Sequence, residues 1–168
     1  MYDNLMNKFK YGGLDQEGLY LDETVMRMCY THRRLFSQLG SQLLREGKKE
    51  QALRLMEKAE KAIPASVVPH GWQGGSLDIA RTWLSLEKNQ KCEEIAAHVA
   101  QNACEYLDWY ISLPSRYTKL STYDIRANFI TLQDAVELLE GANSKLAPAY
   151  DKRLRHYYDL VSGVLYEH

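Results

Sequence analysis

The stretch RRLFSQLGSQLLREGKKEQALRLMEKAEKAIPAS, residues 33–66, decides the fold. Leu35, Phe36, Leu39 and Leu43 recur every three or four residues, the spacing that lines one face of an α-helix. Gly47 then offers the left-handed conformation that ends a helix. After a short turn Ala52, Leu53, Leu55, Met56, Ala59 and Ile63 repeat the spacing until Pro64, which lacks the N–H a helix needs. Two helices joined by so short a turn pack antiparallel. Gly40 and Ala52 are small where the two must approach closely, and Phe36, Leu39, Leu43 and Met56 fill the space around them.

Upstream, the apolar period runs back through Cys29, Met26 and Val25 to Thr24, and Asp22 supplies a side-chain acceptor for the free N–H groups of a first turn. A long helix is expected to end near Glu46. Before it, residues 1–21 mix Gly12, Gly13 and Gly18 with Tyr2, Phe9, Tyr11 and Tyr20, and read as an N-terminal arm packing on the domain. Downstream, PASVVPHGWQGGS (64–76) holds two prolines, three glycines and no charge, and is the main irregular connection. Helical spacing returns with Leu77, Ile79, Ala80, Trp83, Leu84 and Leu86, breaks near Asn89, and resumes from Ile95 through Ala96, Val99, Ala100, Ala103, Leu107 and Tyr110 to Pro114. A last pair follows: a helix around Tyr123 to Leu139, a loop at Gly141 to Ser144, and a helix through Tyr150, Leu154, Tyr157, Tyr158 and Val161. The expected organisation of 22–168 is one all-α domain of about six main helices, paired over about 22–64, 73–113 and 116–162.

Residues 33–66 resemble a tetratricopeptide repeat along its whole length of about 34 residues. Its bulky first-helix residue falls on Phe36, its Leu-Gly pair on Leu39 and Gly40, and its next large residue on Leu43; Ala52, Met56, Ala59 and Pro64 take the second-helix and closing positions. A second copy starts near Gln73, with Ile79 and Ala80 in the Leu-Gly places, Trp83 in the large one and Cys92 in the small one, while Ala96, Val99 and Cys104 depart from the pattern. The third pair matches only in being helical. The resemblance implies antiparallel pairs stacked as a short right-handed superhelix, in which the inner face of each first helix lines a concave groove. That face would carry Arg34, Ser37, Ser41 and Arg45 from the first pair and Leu77, Arg81 and Leu84 from the second. Guanidinium groups there could take an acidic or C-terminal peptide. The Lys and Asn of the carboxylate clamp in chaperone-tail binders, however, would fall on Ser37 and Ser41.

Three further stretches, YDNLMNKFKYGGLD (2–15), GLYLDETVMRMCYTHR (18–33) and CEYLDWYISL (104–113), resemble the C-terminal extramembrane region of a family of large bacterial multi-spanning membrane proteins of unknown function, related to protein O-mannosyltransferases. The resemblance implies that a membrane-embedded sugar-transfer region precedes Met1, with this domain on the periplasmic side of the bilayer. No catalytic residue is carried over, because the matching stretches are not the catalytic ones.

Composition narrows the chemistry. Of 168 residues 45% are hydrophobic, and 21 Lys and Arg face 22 Asp and Glu. Nucleic-acid binders draw most of their affinity from a basic surplus that is missing here. No stretch approaches the roughly 18 apolar residues of a membrane span, and the N-terminus has no signal-peptide pattern. Cys29, Cys92 and Cys104 lack CxxC spacing and read as small core residues. None of His32, His70, His98, His156 and His168 lies three or four residues from another, so no helix presents a paired metal-ligand set. Gly74 and Gly75 lack the strand and Lys of a phosphate-cradling loop, and no cofactor motif occurs. Enzyme activity is therefore not expected. His70 and Trp72, in the uncharged connection, form a candidate loop site. The expected role is a non-catalytic scaffold that holds a protein or peptide, or the membrane part of its own parent chain. The alternative is a carbohydrate-binding module that uses the aromatic-rich second half: Tyr106, Trp109, Tyr110, Tyr117, Tyr123, Tyr157 and Tyr158.

Overall fold

The first helix starts where a free backbone N–H finds an acceptor: Val25 N–H donates to the Asp22 carboxylate at 2.9 Å. In the computed structural model, which describes residues 1–14, 16 and 18–165, that helix is α1 (Glu23–Arg45). It is followed by α2 (Lys49–Ala62), α3 (Ser76–Ser85), α4 (Asn89–Ser112), α5 (Ser115–Leu120), α6 (Thr122–Gly141) and α7 (Ala147–Leu165). Asp15 and His168, along with the side chain of Val161, lie outside the described residues. Among the described residues the chain is all-helical with no strand, and no helix is long and apolar enough to cross a membrane.

One turn recurs at the foot of three helix pairs. Between α1 and α2, Lys48 N–H donates to Leu43 O (2.8 Å) and Gly47 N–H to Leu44 O (3.0 Å), with Gly47 at φ +73°. This paired closure satisfies the last carbonyls of a helix and needs one left-handed residue. Between α3 and α4 the same bonds run from Lys88 to Trp83 (3.0 Å) and Glu87 to Leu84 (2.9 Å), and between α6 and α7 from Ser144 to Leu139 and Asn143 to Glu140 (both 2.9 Å). The left-handed seat is taken by Gly47, then Glu87 (φ +61°), then Asn143 (φ +56°). Only the glycine announces itself clearly in the sequence.

The first two pairs stack through their first helices, α1 on α3, while the third meets the second mainly through α6 on α4; within the pairs α1 packs on α2, α3 on α4 and α6 on α7. Gly40 sits at the first of these crossings. A Cβ added there would lie 3.0 Å from Thr82 Cγ2 of α3 and 3.3 Å from Met56 Sδ of α2, so two helices close on one missing side chain. Phe36, Ala52, Leu55 and Met56 are sealed beneath, joined by Trp83 and Cys92 of the second pair. A second cluster of Cys104, Leu107, Ile125, Leu132, Ala135 and Tyr157 fills the space between α4, α6 and α7. All three cysteines are buried and unpaired.

The N-terminal segment lies on this stack. Its single π-type turn (Asn4–Lys8) buries Leu5, and the rings of Phe9 and Tyr11 meet His32 edge-on at 5.5 and 5.7 Å. One helix was not expected. α5 buries none of its residues, so it carries no apolar period to read; the third pair proper, α6 with α7, begins at Thr122 rather than near 116.

The two special backbone sites predict opposite effects in chemical denaturation. Gly40→Leu should lower stability by about 2–3 kcal/mol through overpacking of the α1–α2–α3 crossing. Glu87→Gly should raise it by about 1 kcal/mol, since only the non-glycine side chain disfavours the left-handed seat; its exposed ion pair with Lys49 at 2.7 Å contributes little against that.

Candidate functional site

The site is built around the uncharged connection between the first two pairs. Pro64 stops α2 and turns the chain, with Val67 and Val68 N–H both donating to Pro64 O. Val68 is fully buried, so its carbonyl and those around it need partners away from water. Arg33 of α1 supplies them: Nη2 donates to Val68 O at 2.7 Å and Ile63 O at 3.4 Å, and Nη1 to Pro69 O at 3.3 Å. Its exposure is 3%, and among the described residues no carboxylate pairs with it. Burial depresses its pKa to about 10, which leaves it charged at neutral pH. The connection then closes over α1. A Cβ on Gly74 would crowd Tyr30, Arg33 and Ser76 at 3.2–3.3 Å, so the backbone passes where a side chain would have to push its neighbours aside.

His70 is the pivot of this loop. Its Nδ1 lies 3.0 Å from Ser76 Oγ, which also accepts from Gly71 N–H at 3.2 Å, and its carbonyl accepts from Asn102 Nδ2 of α4 at 3.1 Å. Burial, then the charges of Arg33 and His98, pull its pKa down to about 3, so the ring is neutral at physiological pH.

Two hollows flank the loop and share Pro69 and His70 as wall. The larger, a cleft of about 530 Å³, opens between α2 and α4. Its floor is apolar, from Ala59, Ile63, Ile79 and Ile95, with Arg33 at its base; Glu60, Lys91, Glu94 and His98 form its rim. Lys91 bridges to Glu60 at 3.1 Å across the mouth. The smaller hollow, of about 280 Å³, lies between the loop, α4 and α6, lined by Tyr30, Trp72, Gln73, Asn102, Tyr106, Asn128 and Thr131. His70 and Trp72 thus share its wall.

The residues expected to line a concave groove have other positions. Ser37 is buried, and Ser41 faces α3 with its hydroxyl 3.4 Å from Thr82 Oγ1, so both belong to a helix contact. Arg34 is exposed but its Nη2 donates to Gln73 O, tying down the loop that lies over it. Arg45 bonds Gln42 at 2.9 Å and Arg81 pairs with Asp78 at 3.3 Å, each on its own helix. Leu77 and Leu84 are half-buried core neighbours, the latter facing Gly141. The aromatic residues of the second half are likewise dispersed. Tyr157 is a core residue whose hydroxyl donates to Asp108 at 2.6 Å and accepts from Arg153 at 2.9 Å. Tyr123 stands exposed on α6, Tyr117 lies under the Arg116 guanidinium on α5, and Tyr106 and Trp109 are half-exposed on α4.

Comparison with protein-family models, with curated proteins and with solved structures finds no match for this chain. Function is read from the geometry of the two hollows. Their decisive residues, Arg33, Asn102, Asn128 and Thr131, were not singled out in the sequence. The one available sign was a charged or amide residue on the inward helical face, such as Arg33 beside Phe36 and Cys29.

The neutral His70 ties stability to pH with a definite sign. In the unfolded chain His70 takes up a proton near its ordinary value of 6.5, and in the folded chain only near 3. Between these values the unfolded state binds more protons, so stability falls as pH drops from about 6.5 towards 3 and is flat above. In denaturation curves from pH 7.5 to 4, His70→Gln should lose stability less steeply with acid than the parent chain.

Proposed function

We propose that this chain is a non-catalytic binding module of the stacked helix-pair kind, tetratricopeptide-like in its pairing, that seats an apolar segment of a protein partner in the cleft between α2 and α4. The observation that carries this reading is the cleft itself: an apolar floor of about 530 Å³ held open by a pinned loop and edged with both signs of charge. Residues 72–74 lie against α1 and α3, and Arg34, one of the residues expected in the groove, is used to hold them. Binding therefore moves to the other side of the loop. A large aliphatic or aromatic side chain would enter between Ile63, Ile79 and Ile95, and the alternating charges of Glu60, Lys91 and Glu94 would bond to the flanking backbone and side chains.

A non-catalytic role is supported by how the titratable groups are used. Arg33 is committed to three carbonyls, His70 to Ser76 and Lys91 to Glu60, which leaves each holding structure rather than poised to move a proton. The likeness of 2–15, 18–33 and 104–113 to the extramembrane region of an O-mannosyltransferase-related family supports placing the module beside a membrane-embedded sugar-transfer region, on the periplasmic side. There it would position a protein acceptor or dock on the membrane part of its parent.

The test is a peptide-display selection on the purified chain. Selected peptides should share one large apolar anchor, and Ala65→Trp, a change at an exposed lip of the cleft, should weaken them roughly a hundredfold by filling the anchor's space. Failure to enrich any sequence, or full binding to a folded Ala65→Trp, would overturn the reading.

A further inference from the structure

The smaller hollow differs in kind from the cleft. None of the side chains that line it carries a charge at neutral pH, since its one titratable ring near pH 7, His70, is held neutral by burial. Its walls are aromatic faces, from Tyr30, Trp72 and Tyr106, and amide or hydroxyl groups, from Asn102, Asn128 and Thr131. Asn128 is 2% exposed; its Nδ2 donates to Asp124 O at 2.8 Å, while its Oδ1 is buried without a partner. A buried acceptor without a partner costs stability, so an O–H or N–H donor brought to this wall would be favoured wherever the Asn128 side chain turns to meet it. Thr131 spends its hydroxyl hydrogen on Ala127 O at 2.7 Å and keeps acceptor capacity.

Size and chemistry select the ligand. At about 280 Å³ the hollow sits at the lower edge of small-molecule sites, which run from about 300 to 1,000 Å³, and so suits a single six-membered ring. A nucleotide would bring phosphate charge that no cation here would meet. A pyranose brings hydroxyl donors for Asn128 and Thr131, oxygens for amide N–H groups, and an apolar C–H face for an aromatic ring. The site also continues. Asn102 and Tyr106 border a further open hollow of about 300 Å³ together with Glu105 and Trp109, and Tyr106 and Trp109 are 51% and 55% exposed along α4. We propose that the hollow between the 69–73 loop, α4 and α6 binds one neutral pyranose ring of a glycan, with the next ring lying over Tyr106 and Trp109.

This site is separate from the protein-binding cleft, and the experiment keeps the two apart. Indole N–H resonances of the full chain would be followed by NMR during titration with methyl pyranosides and their β-linked disaccharides, with adenosine, uridine and a blocked dipeptide in parallel. The Trp72 resonance should shift saturably with at least one pyranoside at about 0.1–10 mM. The disaccharide should bind more tightly and also move Trp109. Tyr106→Ala, an exposed position that does not threaten the fold, should weaken binding roughly tenfold, and Asn128→Leu should weaken it as well, while Ala65→Trp should leave it unchanged. The proposal is overturned if no pyranoside moves Trp72 up to about 50 mM, if a nucleoside or the dipeptide binds as tightly, or if Tyr106→Ala binds like the parent.

Discussion

A single guanidinium inside the protein sets the relation between the first two helix pairs. The connection 64–75 cannot run as one α-helix, because Pro64, Pro69 and the glycines interrupt the ladder, and it forms no more than a single 3-10 turn at Trp72–Gly74. Where it passes inside, at the buried Val68, its carbonyls would be left without partners. Arg33 reaches from α1 and satisfies three of them at once, at Ile63, Val68 and Pro69. A charge taken out of water costs several kcal/mol unless its donors are used, and here the carbonyl dipoles stand in for a carboxylate. Lysine could not fill the role, since an ammonium is a compact point of charge while guanidinium is a planar fork whose donors spread over neighbouring acceptors. The loop's position, the emergence of α3 from Ser76, and the two hollows beside it all depend on that fork.

The same economy governs the stack. Each pair must reverse direction within a few residues, and the three turns at Gly47, Glu87 and Asn143 solve this with one bonding pattern. Repetition of a backbone solution does not require repetition of residue type. The first turn uses the residue that adopts the left-handed seat freely, the third uses asparagine, which tolerates it, and the middle one accepts the strain of glutamate. What the pairs cannot relax is spacing at the crossings. Gly40 has Thr82 on one side and Met56 on the other at distances a methyl group would already fill.

That contrast explains how much was legible beforehand. The Asp22 cap, the Gly47 turn, the Pro64 stop and the inward Phe36, Gly40, Ala52 and Met56 are local or periodic signals, and the structure repeats them closely. α5 was illegible because nothing on it is buried. The choice between neighbouring arginines on α1 shows a subtler limit. Arg33 and Arg34 are adjacent in sequence and about 100° apart around the helix. A helical-face count favours Arg34 as the outward, available cation and treats Arg33 as an intrusion on the apolar stripe. The carbonyls that make Arg33 the central residue are 30 to 36 positions away, in a segment with no period at all. Asn128, which bonds the carbonyl of Asp124 one turn earlier on its own helix, was hidden in the same way.

The loop also divides the electrostatics. On its α2 side the cleft is edged by Glu60, Lys91, Glu94 and His98, and on its α6 side the hollow is lined by amides, hydroxyls and rings. Both surfaces touch His70, whose proton would charge them together. Burial is the main reason that proton stays off, and the nearby charge of Arg33 adds to it. The residue that holds the loop in place therefore also helps burial keep the wall between the hollows neutral, so one side can present charge while the other presents none.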